Sequence, residues 1–92
     1  MKKKRVHAIV HGRVQGVYFR EYTRRQAAHL ELNGWVKNMP DRTVETAFEG
    51  EADSVASMVK WLYTGSPAST VTRVDIREED SREEPSGFII RY

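Results

Sequence analysis

The side chain best suited to act on an anion is the guanidinium of Arg20, because of the glycine-containing segment that leads into it. Arg20 closes the segment Gly12-Arg13-Val14-Gln15-Gly16-Val17-Tyr18-Phe19-Arg20, and the residues after it take on helical spacing. A loop that enters a helix leaves backbone N–H groups without intrahelical partners, and the helix dipole adds partial positive charge there. Gly16 lets the backbone curl so that several N–H groups can converge on one point and suit a tetrahedral oxyanion. Arg20 adds a planar fork of donors suited to phosphate oxygens. Taken alone, the same residues would also build an ordinary glycine turn beside a surface arginine.

What the loop lacks is equally informative. It is not a Walker A motif, because no Gly-Lys-Ser/Thr follows it. It is not a cysteine-phosphatase loop, because the position six before Arg20 is Val14. No serine or threonine lies within it. A reaction at phosphorus would therefore use water as the nucleophile, with the cradle stabilising charge rather than forming a covalent adduct.

The elements that must hold these residues can be read from hydrophobic spacing. Arg5 to His11 alternates, with Val6, Ala8 and Val10 on one side, and predicts a strand ended by Gly12. Phe19, Tyr22, Thr23, Ala27 and Leu30 predict a helix from about Arg20, stopped at Asn33-Gly34. Trp35 to Met39 and Thr43 to Glu49 form a hairpin turned at Asp41-Arg42, with Val44, Thr46 and Phe48 sharing a face and Gly50 breaking the second strand. Val55, Met58, Val59 and Leu62 mark a second helix, capped by Asp53 or Ser54 and terminated by Gly65-Ser66-Pro67. Val71 to Arg77 is a strand, Glu78 to Ser86 a charged loop, and Phe88, Ile90 and Tyr92 alternate in a final strand. The order β-α-β-β-α-β, plus a terminal strand, predicts a ferredoxin-like α+β split βαβ sandwich. Its mostly antiparallel sheet carries two helices packed on one face.

Length and composition narrow the function classes. The 92 residues suffice for one domain, expected over residues 6–92 with residues 1–5 as a basic tail. With no cysteine there is no thiolate nucleophile, disulfide or cysteine-held metal, which fits a reducing, cytoplasmic setting. No apolar run approaches the roughly 18–20 residues of a membrane span, and Lys2-Lys3-Lys4-Arg5 is not followed by a signal-peptide core. The net charge of +2 gathers in that basic start, while the segment Glu78 to Glu84 is acidic and expected to be a solvated connection. His7 and His11 share a strand face but stand about 13 Å apart at roughly 3.3 Å per residue, so they cannot chelate one metal. Trp35 and Trp61 are expected to pack. No aromatic pattern of the RNA-binding sheet type is present, so no nucleic-acid or membrane partner is expected.

The two segments Gly12 to Arg20 and Gly34-Trp35-Val36-Lys37-Asn38 resemble the two signature segments of the acylphosphatases. The resemblance continues through Thr23, Ala27, Leu30, Leu32, Thr43-Val44-Glu45, Phe48-Glu49-Gly50, Trp61-Leu62, Gly65-Ser66-Pro67 and Phe88-Ile89-Ile90. It implies an enzyme that hydrolyses the carboxyl–phosphate bond of a small acyl phosphate without metal or cofactor, acting as a monomer. It further implies that the N–H groups of Gln15 to Phe19 and the Arg20 guanidinium hold the phosphate, while Asn38 orients the attacking water. The competing expectation is a module that binds acyl or carbamoyl phosphate without turnover. One position departs from the family, which often has Gly where this chain has Arg42. If that position requires positive φ, arginine costs on the order of 1 kcal/mol there.

Overall fold

Alternating apolar side chains on three neighbouring strands create one continuous greasy face, and the rest of the fold follows from covering it. A computed structural model describes residues 2–92, with β1 at Lys3–Arg13, α1 at Phe19–His29, β2 at Asn33–Asn38 and β3 at Val44–Glu51. It continues with α2 at Ala52–Thr64, β4 at Thr70–Glu79 and β5 at Phe88–Arg91. The strands form one five-stranded sheet in the order β4-β1-β3-β2-β5. Register sets Val6 opposite Phe48, Ala8 opposite Thr46 and Val10 opposite Val44, and all six are buried. Helix α1 covers this face with Phe19, Thr23 and Ala27, and α2 with Val55, Met58 and Leu62. The Phe19 and Trp61 rings, 5.7 Å apart, join the two helices over the sheet. Between β2 and β3 the backbones approach so closely that a Cβ on Gly34 would sit 2.0 Å from the Ala47 carbonyl oxygen.

The sheet is antiparallel except at one edge, where β5 pairs with β2 in parallel. The direction of β5 follows from its connection. Strand β4 leaves the sheet at the end where β1 begins, and residues 80–87 cross below Arg5 and Glu49 to the opposite edge. Strand β5 can then only run the way β1 and β2 run. The C-terminal ends of β1, β2 and β5 therefore meet at one end of the sheet.

Several boundaries move from their sequence-based positions. Residues 3–5 are not a tail: Lys3, Lys4 and Arg5 pair in β1 against Glu51, Gly50 and Glu49. Arg5 is only 2% exposed, because its guanidinium meets Glu49 at 3.0 Å and Glu79 at 3.1 Å. Charge pairing across 44 and 74 residues of sequence drew the basic start into the sheet. Glu78 and Glu79 of the acidic segment belong to β4, and the largely exposed connection after them is tethered, since the N–H groups of Arg82 and Glu84 donate to the Glu49 carboxylate at 3.0 and 3.1 Å. Helix α1 ends earlier than Asn33-Gly34, and the left-handed residue after it is Glu31 (φ 58). Asp53 and Ser54 lie inside α2, whose first N–H, from Ala52, donates to the Lys2 carbonyl. Gly12 and Gly50 do not end their strands, and a register shift at His11/Gly12 absorbs the irregularity in β1.

Two measurements test this account. Burial by itself raises the Glu49 pKa, but the Arg82 N–H, the Arg5 guanidinium, the Glu84 N–H and the Ser81 hydroxyl outweigh it and hold the carboxyl low. The resulting stabilisation is complete above the ordinary glutamate range near about 4.3 and is lost as pH falls through the lower, folded value. Glu49→Gln should cost about 3 kcal/mol at neutral pH and flatten the acid limb of stability against pH, read by urea unfolding. Arg42 is exposed and has φ 74. Relief of that strain in Arg42→Gly should raise stability by about 0.5–1 kcal/mol in the same assay, glycine's freer unfolded chain offsetting part of the gain.

Candidate active site

Chain direction brings the loop after β1, the start of α1, the end of β2 and the end of β5 to one place. They enclose a cavity of about 570 Å³ whose walls include Gly16, Tyr18, Phe19, Arg20, Asn38 and Tyr92. Gly16 (φ 73) and Tyr18 (φ 62, ψ 23) both adopt left-handed backbone, flanking a buried Val17. Left-handed residues in such a turn are of the kind that lets successive N–H groups form an anion nest. Among the described residues, the N–H groups of Gly16, Val17, Tyr18 and Phe19 find no intramolecular acceptor. The first N–H to be satisfied is that of Tyr22, which donates to the Tyr18 carbonyl at 3.1 Å.

Arg20 lies one residue into α1, half-buried, with its guanidinium carbon 4.8 Å from the centre of the Tyr92 ring. Among the described residues no carboxylate lies within ion-pair distance of it. Its neighbour Glu21 also lines the cavity, but Arg24 binds that carboxylate at 2.8 and 2.9 Å and Arg25 stands 3.7 Å away. The hydrogen bond from Arg24 lowers the Glu21 pKa. These cations also neutralise a negative charge that would otherwise oppose an anion in the cavity.

Asn38 is the last residue of β2. Its Oδ1 is buried, and among the described residues no donor reaches it. An orphaned buried acceptor is costly unless something outside the chain supplies the hydrogen bond. The position of Asn38 is fixed by the turn that follows. The Met39 N–H donates to the Thr43 carbonyl at 2.9 Å, and the Arg42 N–H to the Met39 carbonyl at 3.0 Å. Asp41 Oδ1 accepts from the Thr43 hydroxyl at 2.6 Å and its N–H at 3.1 Å. Those bonds hold the Asp41 carboxyl below its usual range.

Of the residues expected to hold phosphate, Gly16, Tyr18, Phe19 and Arg20 line the cavity together with Asn38, whereas Gln15 and Val17 are not part of its wall. The Gln15 side chain has another task. Its Nε2 donates to the carbonyls of Met39 and Thr43, both at 2.8 Å, tying the cradle to the turn behind Asn38. Ser66 was read from sequence only as part of a helix stop. Its buried hydroxyl donates to the Val17 carbonyl at 2.8 Å, which pins the middle of the loop from beneath. No local signal in the sequence marks that bond, because it spans 49 residues.

The chain as a whole matches a known family. The profile described as Acylphosphatase matches residues 6–90. The chain belongs to the acylphosphatase family. An acylphosphatase from Syntrophobacter fumaroxidans is 53% identical over 92 residues, spanning the whole chain and 95% of that relative. Among solved structures, the acylphosphatase from Bacillus subtilis is 40% identical with a TM-score of 0.93, covering 97% of this chain and 99% of that one. The acylphosphatase from Coxiella burnetii is 39% identical with a TM-score of 0.92, covering 97% and 93%. Family members thus share the ferredoxin-like sandwich that positions the site.

The bridge from Gln15 gives a measurable consequence. Gln15→Ala removes one of the two donors that each of these carbonyls receives and should cost about 1–2 kcal/mol. It should also speed amide exchange selectively at Met39 and Arg42, the N–H groups that close the turn.

Proposed function

We propose that the chain hydrolyses acyl phosphates to a carboxylate and inorganic phosphate by direct attack of an oriented water, with Arg20 and Asn38 in the central roles. The observation that carries this reading is the buried, unpartnered Asn38 Oδ1 on the same cavity as an unpaired guanidinium and unsatisfied N–H groups. In this reading the phosphoryl oxygens sit in the nest of N–H groups and against the Arg20 fork. Asn38 Oδ1 accepts a hydrogen bond from a water and so aims its lone pair at phosphorus. The water oxygen forms the new P–O bond while the bond from phosphorus to the bridging oxygen breaks, and that oxygen leaves with the acyl group. RC(O)OPO₃²⁻ and H₂O give RCOO⁻ and H₂PO₄⁻, so the water's protons end on phosphate and no separate acceptor is consumed.

The physical case rests on the leaving group. A carboxylate is a stable anion, so positioning and charge stabilisation suffice and a strong protein base is unnecessary. The cavity agrees with this: Glu21, the carboxylate on its wall, is committed to Arg24 and Arg25. All groups named come from one chain, which favours a monomer. No helix among the described residues is long and apolar enough to cross a membrane, and the chain has no cysteine. Both facts fit the cytoplasmic setting inferred from composition.

The test is hydrolysis of benzoyl phosphate in EDTA. The unaltered chain should turn it over. Asn38→Ala should lose at least about 10²-fold in kcat while inorganic phosphate still inhibits at a similar concentration. Arg20→Ala should lose at least as much activity and also weaken that inhibition. Full activity in either folded variant removes that residue from its role, and no turnover by the unaltered chain overturns the reading.

A further inference from the structure

The bond from the buried Ser66 hydroxyl to the Val17 carbonyl, 2.8 Å long, reaches the loop from the turn that follows α2. That turn is itself firmly built. The Gly65 N–H donates to the Trp61 carbonyl at 2.9 Å, and the Ser69 N–H and hydroxyl both donate to the Ser66 carbonyl, at 3.0 and 2.7 Å. A Cβ on Gly65 (φ 71) would come within 2.4 Å of the Ser69 Oγ and 2.9 Å of the Phe19 ring, so glycine is what lets the turn lie this close to the loop.

The bond holds a whole peptide unit. A trans peptide is planar, with its C=O and N–H pointing in opposite directions, and no peptide bond among the described residues is cis. With the Val17 carbonyl drawn inward to Ser66, the Tyr18 N–H points the other way. Among the described residues it meets no intramolecular acceptor.

Local preference opposes this orientation. Tyr18 has φ 62 and ψ 23, a left-handed conformation disfavoured for a bulky side chain. Half a turn of the Val17–Tyr18 peptide would carry that φ into the ordinary extended range. It would leave the Tyr18 carbonyl, which accepts from the Tyr22 N–H at 3.1 Å, where it is. The Tyr18 ring is 78% exposed, so packing of the side chain does not hold φ. A flipped peptide would present a carbonyl where the N–H now points, and a carbonyl oxygen repels phosphate.

We infer that Ser66 is a positioning residue for the phosphate site: its hydroxyl holds the Val17–Tyr18 peptide against the preference of Tyr18, so that the Tyr18 N–H faces the cavity as a donor. This rests on the reading of the cavity as a phosphate cradle and adds the group that sets the direction of one of its dipoles. Ser66 itself touches no substrate.

The test is an NMR titration of inorganic phosphate into isotope-labelled protein, following the amide signals of residues 16 and 18. In the unaltered chain both signals should move along one saturation curve. Ser66→Ala should weaken phosphate binding about tenfold, and at saturation Gly16 should still respond while Tyr18 does not. Adding Tyr18→Gly to that variant should restore most of the lost affinity, because glycine has no preference for negative φ. A merely structural role for Ser66 would not give that recovery, since glycine there lends no stability. Ser66→Cys, close in size and a much weaker donor, replaces the alanine variant if that does not melt cooperatively. Unaltered binding in the Ser66 variants, or a Tyr18 amide that ignores phosphate while Gly16 responds, overturns the inference and leaves the hydrolase reading standing. Failure of the unaltered chain to bind phosphate overturns the inference and the cradle on which that reading rests.

Discussion

The carboxamide of Gln15 spends both protons on the hairpin behind Asn38, and the two halves of the site become one unit through those bonds. Without them the cradle would belong to the β1–α1 connection and the carboxamide of Asn38 to a separate turn. Positions within a catalytic constellation must hold to fractions of an ångström, and loops alone seldom achieve that. Here the cradle is fastened from two sides, by Gln15 to the turn after β2 and by Ser66 to the Val17 carbonyl. Asp41 and Thr43 stiffen the turn itself.

The opposite end of the sheet carries a different burden. Arg5, Glu49, Glu79 and the N–H groups of Arg82 and Glu84 form a nearly closed polar cluster, in which the buried charges are both paired and hydrogen-bonded. That cluster fixes the path of residues 80–87, and the path sets the direction of β5. A parallel β5 then delivers Ile90 and Tyr92 to the cavity. Polar groups at one end of the sheet are thus satisfied within the chain, while those at the other end, Asn38 Oδ1 and the nest N–H groups, are left open. The closed polar cluster and the open polar groups occupy opposite ends of the same strands.

Backbone strain is distributed on the same plan. Among the left-handed residues other than glycine, Tyr18 lies in the cavity wall and Arg42 in the turn braced by Gln15. Arg42 is the residue of that turn whose φ of 74 would suit glycine better. Glycine would take that conformation without strain, so the arginine bears on stability while the hydrogen bonds of Met39, Asp41 and Thr43 keep the turn in place.

Much of this was legible in the sequence. The periodicity of Val6, Ala8, Val10 and of Val44, Thr46, Phe48 placed the covered face, because strand alternation is a local property. The segment ending in Arg20 carried an anion cradle in its residue types, and the lack of any nucleophile in the loop already required water, whereas Asn38 entered through the family resemblance alone. Cap positions were less legible: Asp53 and Ser54 have the right chemistry, yet α2 begins on the Lys2 carbonyl, a partner remote in sequence. The burial of Arg5, the fastening of the acidic loop, the Gln15 bridge and the Ser66 bond were decided by the tertiary structure. Each joins residues between 24 and 74 positions apart, and hydrogen bonds of that reach form only once the sheet has set which strand ends meet. The sequence by itself therefore determined which groups could hold a phosphate; the fold decided that their elements meet, because only the shared direction of β1, β2 and β5 brings their ends to a single cavity.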